Sequence, residues 1–323
     1  MSSGGSRRYQ QKSKNIIMSE NFDIFVIGAG VAGLTAAEEA VRKNLKVGLA
    51  EEQMFGGLVV NVNHLQPAPS GLPETGGDLA ADMMMRVADL GVTTLMEPVT
   101  SLDRGANGAI AVKTAEGSYS ARCVILASGA RLRKLGIPGE TEFEHRGVAH
   151  CADCDAPLYR DQSVVVVGGG DSALQEALVL AEYCSAVHLV HRGASFSARA
   201  DFAKAVQGNS RIIVHFDTIV EGIEGSDAVT GVRLRNATSG ATETLPCKGF
   251  FAYVGLEPNA DFLSDLVERD SGFVKVNTQL ESSLQNLFAI GAVRAGYAGQ
   301  LTDAMADAKA AVAAASNRLA TPA

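Results

Sequence analysis

No run of eighteen or more apolar residues occurs anywhere in the 323-residue chain, so no segment has the length a transmembrane helix needs. Base is also in short supply. The chain has 28 Lys and Arg against 36 Asp and Glu, a net charge of −8, whereas a nucleic-acid partner wants a basic face. The opening stretch, MSSGGSRRYQQKSKNIIMSE, lacks the apolar centre of a signal peptide. It reads as a disordered leader over residues 1–21, with Met18 as an alternative start. Cysteine is sparse, five in all, and its spacing suggests no disulfide framework. A cytoplasmic protein is expected. What is present is ordinary for a globular protein: 46% hydrophobic and 20% charged, with length for about two domains. Glycine is the exception. Its 34 copies exceed average usage and point to tight turns and close backbone approaches.

The glycines concentrate in two places. Residues 22–51 read FDIFVIGAGVAGLTAAEEAVRKNLKVGLAE. An apolar strand, Phe22–Ile27, runs into Gly28-x-Gly30-x-x-Gly33, then a helix, then a second strand from Leu45 to Ala50 that ends at Glu51. Gly28 makes the tight turn, Gly30 lets a pyrophosphate approach the backbone, and Gly33 lets helix and strand pack closely. Phosphates then rest on the helix N-terminus, where unpaired N–H groups favour anions. Glu51 is placed to accept hydrogen bonds from a ribose.

Residues 163–192, SVVVVGGGDSALQEALVLAEYCSAVHLVHR, repeat the pattern. Gly168-x-Gly170-x-x-Ala173 takes the glycine positions and Val187–Val190 forms the second strand. That strand ends in His191-Arg192, and a base there can face a 2′-phosphate. Alone, the pair would read as solvated strand-end residues; the repeated motif around it favours a nucleotide. Two dinucleotide units in one chain suggest electrons passing between two cofactors. CVILASGA (123–130) and NLFAIGAV (286–293) read as buried strands ending in small turns, while 132–140 and 255–262 carry the Gly, Pro and charge of linkers. The fold expected is α/β, with two Rossmann-like, doubly wound nucleotide-binding domains, the second inserted into the first.

Cys151 and Cys154, in CADCDAPLY (151–159), admit three readings: half of a zinc clip, a working disulfide, or two buried thiols. A structural zinc site normally needs four ligands, and the chain offers no second Cys-x-x-Cys, only His150 nearby. A Cys-x-x-Cys turn lowers one thiol's pKa to about 7, which suits redox work. Cys123, Cys184 and Cys247 read as buried small hydrophobes. His64, His145, His188 and His215 read as structural or surface residues, and Met83–Met85 as filling for a helix core.

From Phe22 almost to the C-terminus the chain resembles the small, two-domain thioredoxin reductases and their relatives. The motifs that carry the resemblance are GAGVAG (28–33), FGG (55–57), ASGA (127–130), CADCD (151–155), GGGDSA (168–173), HR (191–192), VGLEPN (254–259) and FAIGA (288–292). Their order is specific, because the cysteine pair opens the second nucleotide unit and does not follow the first. The resemblance implies an FAD-binding domain over 22–131 and 258–323 and a pyridine-nucleotide domain over 132–257. It implies FAD contacts from Gly28, Gly30, Gly33, Glu51, Glu52, Gly56, Gly57, Ala127, Gly129, Gly291, Ala292, Gln300 and Leu301. NADPH or NADH would meet Gly168, Gly170, Asp171, Ser172, Ala173, His191 and Arg192. Catalysis falls to a Cys151–Cys154 disulfide with Asp155 as acid/base. The partners implied are a thioredoxin-like protein or a small disulfide or dithiol, and a second copy in a homodimer.

Four departures from the family pattern stand out. Gly193 and Ser197 occupy places where NADPH-using relatives carry arginine. Ala292 replaces an aspartate on the flavin's ribityl chain. Gly299 replaces an arginine near the flavin's pyrimidine end, and Leu58 replaces a glutamine. These leave an alternative expectation: a relative independent of NAD(P)H, either a dithiol oxidase using oxygen or a ferredoxin-dependent reductase.

Overall fold

A computed structural model describes residues 18–62, 65, 73–105 and 108–320. Residues 1–17 of the expected leader, and His64, lie outside that set. Met18–Asn21 are not leader. They open the first strand, β1 (Met18–Ile27), where the backbones of Met18 and Asn21 pair with Ser118 and Ser120. Such pairing needs no apolar side chain, so the apolar run marks only the strand's buried half.

After β1 come α1 (Val31–Arg42), β2 (Val47–Glu51), α2 (Gly76–Asp89), β3 (Thr93–Met96), β4 (Val99–Arg104), β5 (Ile110–Thr114) and β6 (Ser118–Leu126). A short strand β7 (Ala130–Leu132) leads to β8 (Val148–Ala149), α3 (Ala152–Asp155), β9 (Ser163–Val167), α4 (Asp171–Tyr183), β10 (Ala186–Val190), α5 (Ala200–Gln207) and β11 (Ile212–His215). Next stand β12 (Thr218–Gly225), β13 (Val229–Asn236), β14 (Thr242–Pro246), β15 (Gly249–Ala252) and β16 (Leu256–Pro258). The chain closes with β17 (Arg269–Asp270), β18 (Phe273–Val274), β19 (Leu287–Ala289) and α6 (Leu301–Ala320).

Two Rossmann-like sheets organise these elements. The first runs β3-β2-β1-β6-β5-β4, with β19 added beside the C-terminal half of β6. Its β1, β2, β3, β6 and β19 are parallel, while β4 and β5 return antiparallel. Helices α1, α2 and α6 cover one face through a core that includes Leu34, Leu79, Met83 and Val312. The second sheet, β11-β10-β9-β15-β8, is parallel throughout. It carries α4 on one face and the antiparallel β12-β13-β14 layer on the other. Because this sheet is buried on both faces, β9 reads as an unbroken valine run, Val164–Val167, rather than an alternation. Phe25, Phe250, Phe251 and Phe288 are among the largest fully buried side chains, each contributing about 1.5–3 kcal/mol by burial.

The segments expected as linkers do more than connect. β7 and β16 are the chain's two crossings between the sheets, and they pair antiparallel as Leu132↔Leu256, Arg131↔Glu257 and Ala130↔Pro258. Ser128 Oγ donates to Asn259 O at 2.6 Å and Asn259 Nδ2 returns to Ser128 O at 2.9 Å. The methionine expectation needs a correction. Met83 is buried, but Met84 is half-buried and Met85 is 58% exposed. Consecutive helical residues turn about 100° each, so three in a row cannot share one face.

Candidate active site

Both glycine motifs fold as one device. Gly28 sits at φ +97°, where a Cβ would press on the Ala127 carbonyl. Gly168 sits at φ +150°, where a Cβ would press on the Tyr253 carbonyl. In each unit the turn therefore closes against the backbone that follows the neighbouring central strand, β6 or β15. Gly30 and Gly170 begin their helices without a side-chain cap, so no cap takes up the first helical N–H groups, the usual donors to an anion. The third positions differ: a Cβ at Gly33 would collide with the Gly28 carbonyl, whereas the Ala173 methyl is accommodated beside Gly168.

Around the first motif the expected residues converge. Glu51 Oε2 accepts from Ala29 N at 2.7 Å and its Oε1 from Gln53 N at 3.0 Å, which fixes the carboxylate at the end of β2. Gly56 N donates to Ala29 O at 2.7 Å, bringing the Gly56–Gly57 turn onto Gly30. Gly291 packs against Ala32 of α1, and its N–H donates to Asp307 of α6 at 3.0 Å. The same Asp307 receives Arg294 through Nε at 2.6 Å and Nη2 at 2.9 Å, both side chains being mostly buried. Ala292 follows Gly291 in the same turn, Gln300 and Leu301 stand at the start of α6, and Gly129 holds φ +68° ahead of β7. Glu52 is exposed and does not join this group.

The second motif is more occupied. Ser197 and Ala198 donate their N–H groups to Gly169 O at 2.8 and 3.1 Å, folding 193–198 over the glycine turn. His191 lies against Gly169 and beside Phe196 and Phe216. Asp171, the first residue of α4, accepts from Arg199 N at 2.7 Å and pairs with its guanidinium at 3.2 Å. Arg199 also pairs with Asp201 and stacks on Phe202. Arg192 is exposed, with no hydrogen bond or ion pair among the described residues, and Ser172 is exposed as well.

Between the two cradles stands the cysteine pair. Cys151 and Cys154 are joined as a disulfide, with their Cα atoms 5.3 Å apart. The Cys154 N–H points at Cys151 Sγ at 3.1 Å, and Asp155 N donates to Cys151 O at 3.0 Å. Although the pair belongs to the second unit, Cys151 Sγ lies 3.7 Å from the carbonyl oxygen of Asn61. Asn61 ends the helical turn that follows Gly56 and Gly57 in the first unit. Asp155, half-exposed, ends α3. His150 turns to Glu144, at 2.6 Å. Among the described residues no group of three or more His, Cys, Asp or Glu is arranged to hold a metal ion. Burial pushes the thiols of Cys123 and Cys184 up to about 11 and that of Cys247 to about 12, which makes them poor nucleophiles.

Two functional-looking features escape the sequence. Glu176, three residues beyond Ala173 on α4, accepts from Ala152 N at 3.2 Å and from the Tyr253 hydroxyl at 3.4 Å. Nothing in its helical pattern marks that contact; only the spatial return of α4 beneath α3 does. His188 and His215 face one another at 3.0 Å across β10 and β11, a partnership set by the strand register.

Comparison with known proteins places the chain. Residues 22–315 match the model of the pyridine nucleotide-disulphide oxidoreductases. Thioredoxin reductase of Treponema pallidum is 36% identical over 301 residues, spanning 93% of this chain and 98% of the relative. That of Mycoplasma pneumoniae is 34% identical, spanning 88% and 91%. Among solved structures, thioredoxin reductase of Lactococcus lactis superposes with a TM-score of 0.87 at 32% identity, covering 92% of this chain and 98% of its own.

Proposed function

The chain belongs to the pyridine nucleotide-disulphide oxidoreductase family, and from that premise we propose that it is an FAD-dependent reductase of the thioredoxin reductase kind. FAD, when bound, would carry electrons from NADPH or NADH to Cys151–Cys154, and the dithiol would then reduce a thioredoxin-like protein or a small disulfide. The enzyme works as a homodimer, and its place is the cytoplasm. In the described residues no helix is long and apolar enough to cross a membrane. One observation carries the reading: a disulfide mounted on the second nucleotide unit touches the first unit at Asn61, beside the Gly56–Gly57 turn.

The first cradle suits FAD. Its uncapped helix start, the missing Cβ atoms at Gly28, Gly30 and Gly33, and the anchored Glu51 carboxylate match a pyrophosphate and a ribose. Gly56, Gly57, Ala127, Gly129, Gly291, Ala292, Gln300 and Leu301 are assigned to the rest of the dinucleotide. When bound, FAD supplies two-electron carriage between a nicotinamide and a disulfide. Gly168, Gly170, Asp171, Ser172, Ala173, His191 and Arg192 are assigned to that nicotinamide cofactor.

The chain's own chemistry lies in the cysteines. Two electrons and two protons break the Cys151–Cys154 bond and leave two thiols. Asp155, next to Cys154, is assigned the proton exchange with the departing thiolate. One thiolate then attacks the substrate disulfide and forms a mixed disulfide. The second thiolate resolves it, so the Cys151–Cys154 bond re-forms and the substrate leaves as a dithiol.

The test is anaerobic reduction of the bound flavin by NADPH or NADH, followed by turnover of a thioredoxin or a small aromatic disulfide. Cys151→Ser and Cys154→Ser should each abolish disulfide turnover while the protein stays yellow. Turnover that survives in both variants overturns the cysteine assignment. A flavin bleached by a dithiol or by reduced ferredoxin, but by neither nicotinamide, overturns the electron donor.

A further inference from the structure

A carboxylate that the proposed mechanism does not use lies directly beneath the cysteine pair. Glu176 belongs to α4, on the side of that helix packed against α3. Its Oε2 accepts the N–H of Ala152, the peptide immediately after Cys151, at 3.2 Å. Ala152 is fully buried, and its N–H is met by Glu176 and by the Tyr253 hydroxyl oxygen, since an unpaired N–H in such a place is costly. The Tyr253 hydroxyl, at the end of β15, donates to the same oxygen at 3.4 Å and lies at the same distance from His150 O. Burial first, and then the nearby Asp153, raise the proton affinity of Glu176 to about 7; the bonds from Ala152 and Tyr253 oppose this. The charged and titratable groups around it are Asp153 on α3, Tyr253 after β15 and, acting on Tyr253, Asp155.

An amide oxygen would satisfy Ala152 as well as a carboxylate does, without the burden of a charge in a half-buried place. We infer that Glu176 is a positioning residue for the dithiol: it holds the peptide that follows Cys151, and its charge restrains the ionisation of the reduced Cys151–Cys154 pair. The inference rests on the redox role proposed for that pair. In the oxidised protein the disulfide carries no charge and the carboxylate has nothing to oppose. Once two electrons and two protons have opened the S–S bond, the first thiol to lose its proton does so next to Glu176. The two ionisations then become coupled. As pH falls through 7 the carboxylate gains a proton and its opposition fades, so the thiolate fraction falls less steeply than for an isolated thiol. The effect is a disulfide reductase whose nucleophile supply varies little across neutral pH. Through the Ala152 peptide the Glu176 carboxylate can lie no more than about 8 Å from the Cys151 sulfur, a range at which one charge changes the thiolate fraction roughly tenfold.

The test is the rate of alkylation of the pair between pH 5.5 and 8.5. The FAD-loaded protein is reduced by dithiothreitol, desalted without oxygen and treated with iodoacetamide, with modified cysteines counted by mass. Reduction by a dithiol keeps the result independent of the nicotinamide, so failure of this inference and failure of the proposed electron path can be told apart. The wild type should give a broadened profile. Glu176→Gln, which keeps an acceptor for Ala152 and removes the charge, should give a single one-proton curve and react about tenfold faster near pH 7.5. Tyr253→Phe removes a donor to the carboxylate and should move the broad region to higher pH. Superimposable profiles for wild type and Glu176→Gln overturn the inference. So does a change seen with Glu176→Ala but not with Glu176→Gln, because the carboxylate would then serve only as the acceptor for Ala152.

Discussion

Removing the carboxylate of Asp307 tests how the C-terminal helix is tied to the turn at Gly291. Asp307 receives three donors: Arg294 through two nitrogens, and the Gly291 N–H. The side chains of Arg294 and Asp307 are only 15% and 11% exposed, so water screens the pair poorly. Asp307→Ala strands a guanidinium and a backbone N–H together. Breaking a buried pair from one side costs about 3–5 kcal/mol. For a chain of this length each kcal/mol lowers the melting temperature by about 2 °C, so the drop should be about 6–10 °C. Arg294→Met combined with Asp307→Leu removes the stranded cation and leaves only the Gly291 N–H unpaired, at about 1–3 kcal/mol. The double variant should therefore melt about 4 °C above the single one. Thermal melts followed by far-UV circular dichroism and by flavin fluorescence would read both numbers, the second reporting release of the flavin. A single variant within 1 °C of wild type, or a double variant whose losses simply add, would refute this account of the pair.

The second nucleotide site should discriminate weakly between NADPH and NADH, because Arg199 is held by Asp171 and Asp201 and Arg192 alone stands exposed at the end of β10. Placing arginines by Gly193→Arg with Ser197→Arg should lower the KM for NADPH at least tenfold, at about 1.5–3 kcal/mol per charged hydrogen bond. The KM for NADH should stay unchanged, and equal shifts for both cofactors would count against a 2′-phosphate contact. The His188–His215 pair sets an acid limit. Burial lowers both proton affinities, and His215 lowers that of His188 further. The unfolded chain therefore binds more protons below pH 6.5, and stability should fall with decreasing pH by about 1.4 kcal/mol per unit per histidine. Denaturant titrations from pH 7.5 to 5 should show a shallower fall in His215→Gln; an unchanged slope would show that the pair does not control it.

Much of this molecule is legible from spacing alone. The Gly28 and Gly168 motifs declare a strand, a turn and a helix, because only glycine tolerates the backbone closure against Ala127 and Tyr253. Val164–Val167 marks a strand buried on both faces for an equally local reason. Contacts made by return of the chain are harder to read. Glu176 reaches Ala152, and His188 finds His215, only after helices and strands have packed, and neither pair shares a local period. Arg199 shows the same limit: its bonds to Asp171 and Asp201 depend on how the loop folds. The β7 and β16 segments look like linkers because glycine, proline and charge surround them. Their pairing with one another comes from the two crossings being neighbours in space.

That pairing has a consequence for how such a gene is cut and rejoined. Ala130 stands opposite Pro258 and Arg131 opposite Glu257, with facing Cα atoms about 5 Å apart as in any antiparallel ladder. A turn of two residues would bridge them. Excising the intervening residues would thus leave the outer sheet with a plain hairpin where the crossings had been, and the β6–β19 seam would stay in register. The excised piece would likewise begin and end at adjacent points, as a cassette must if it is to be spliced into another host loop. The ribbon is in this sense a graft union, in which the two crossings meet as three paired residues on each strand.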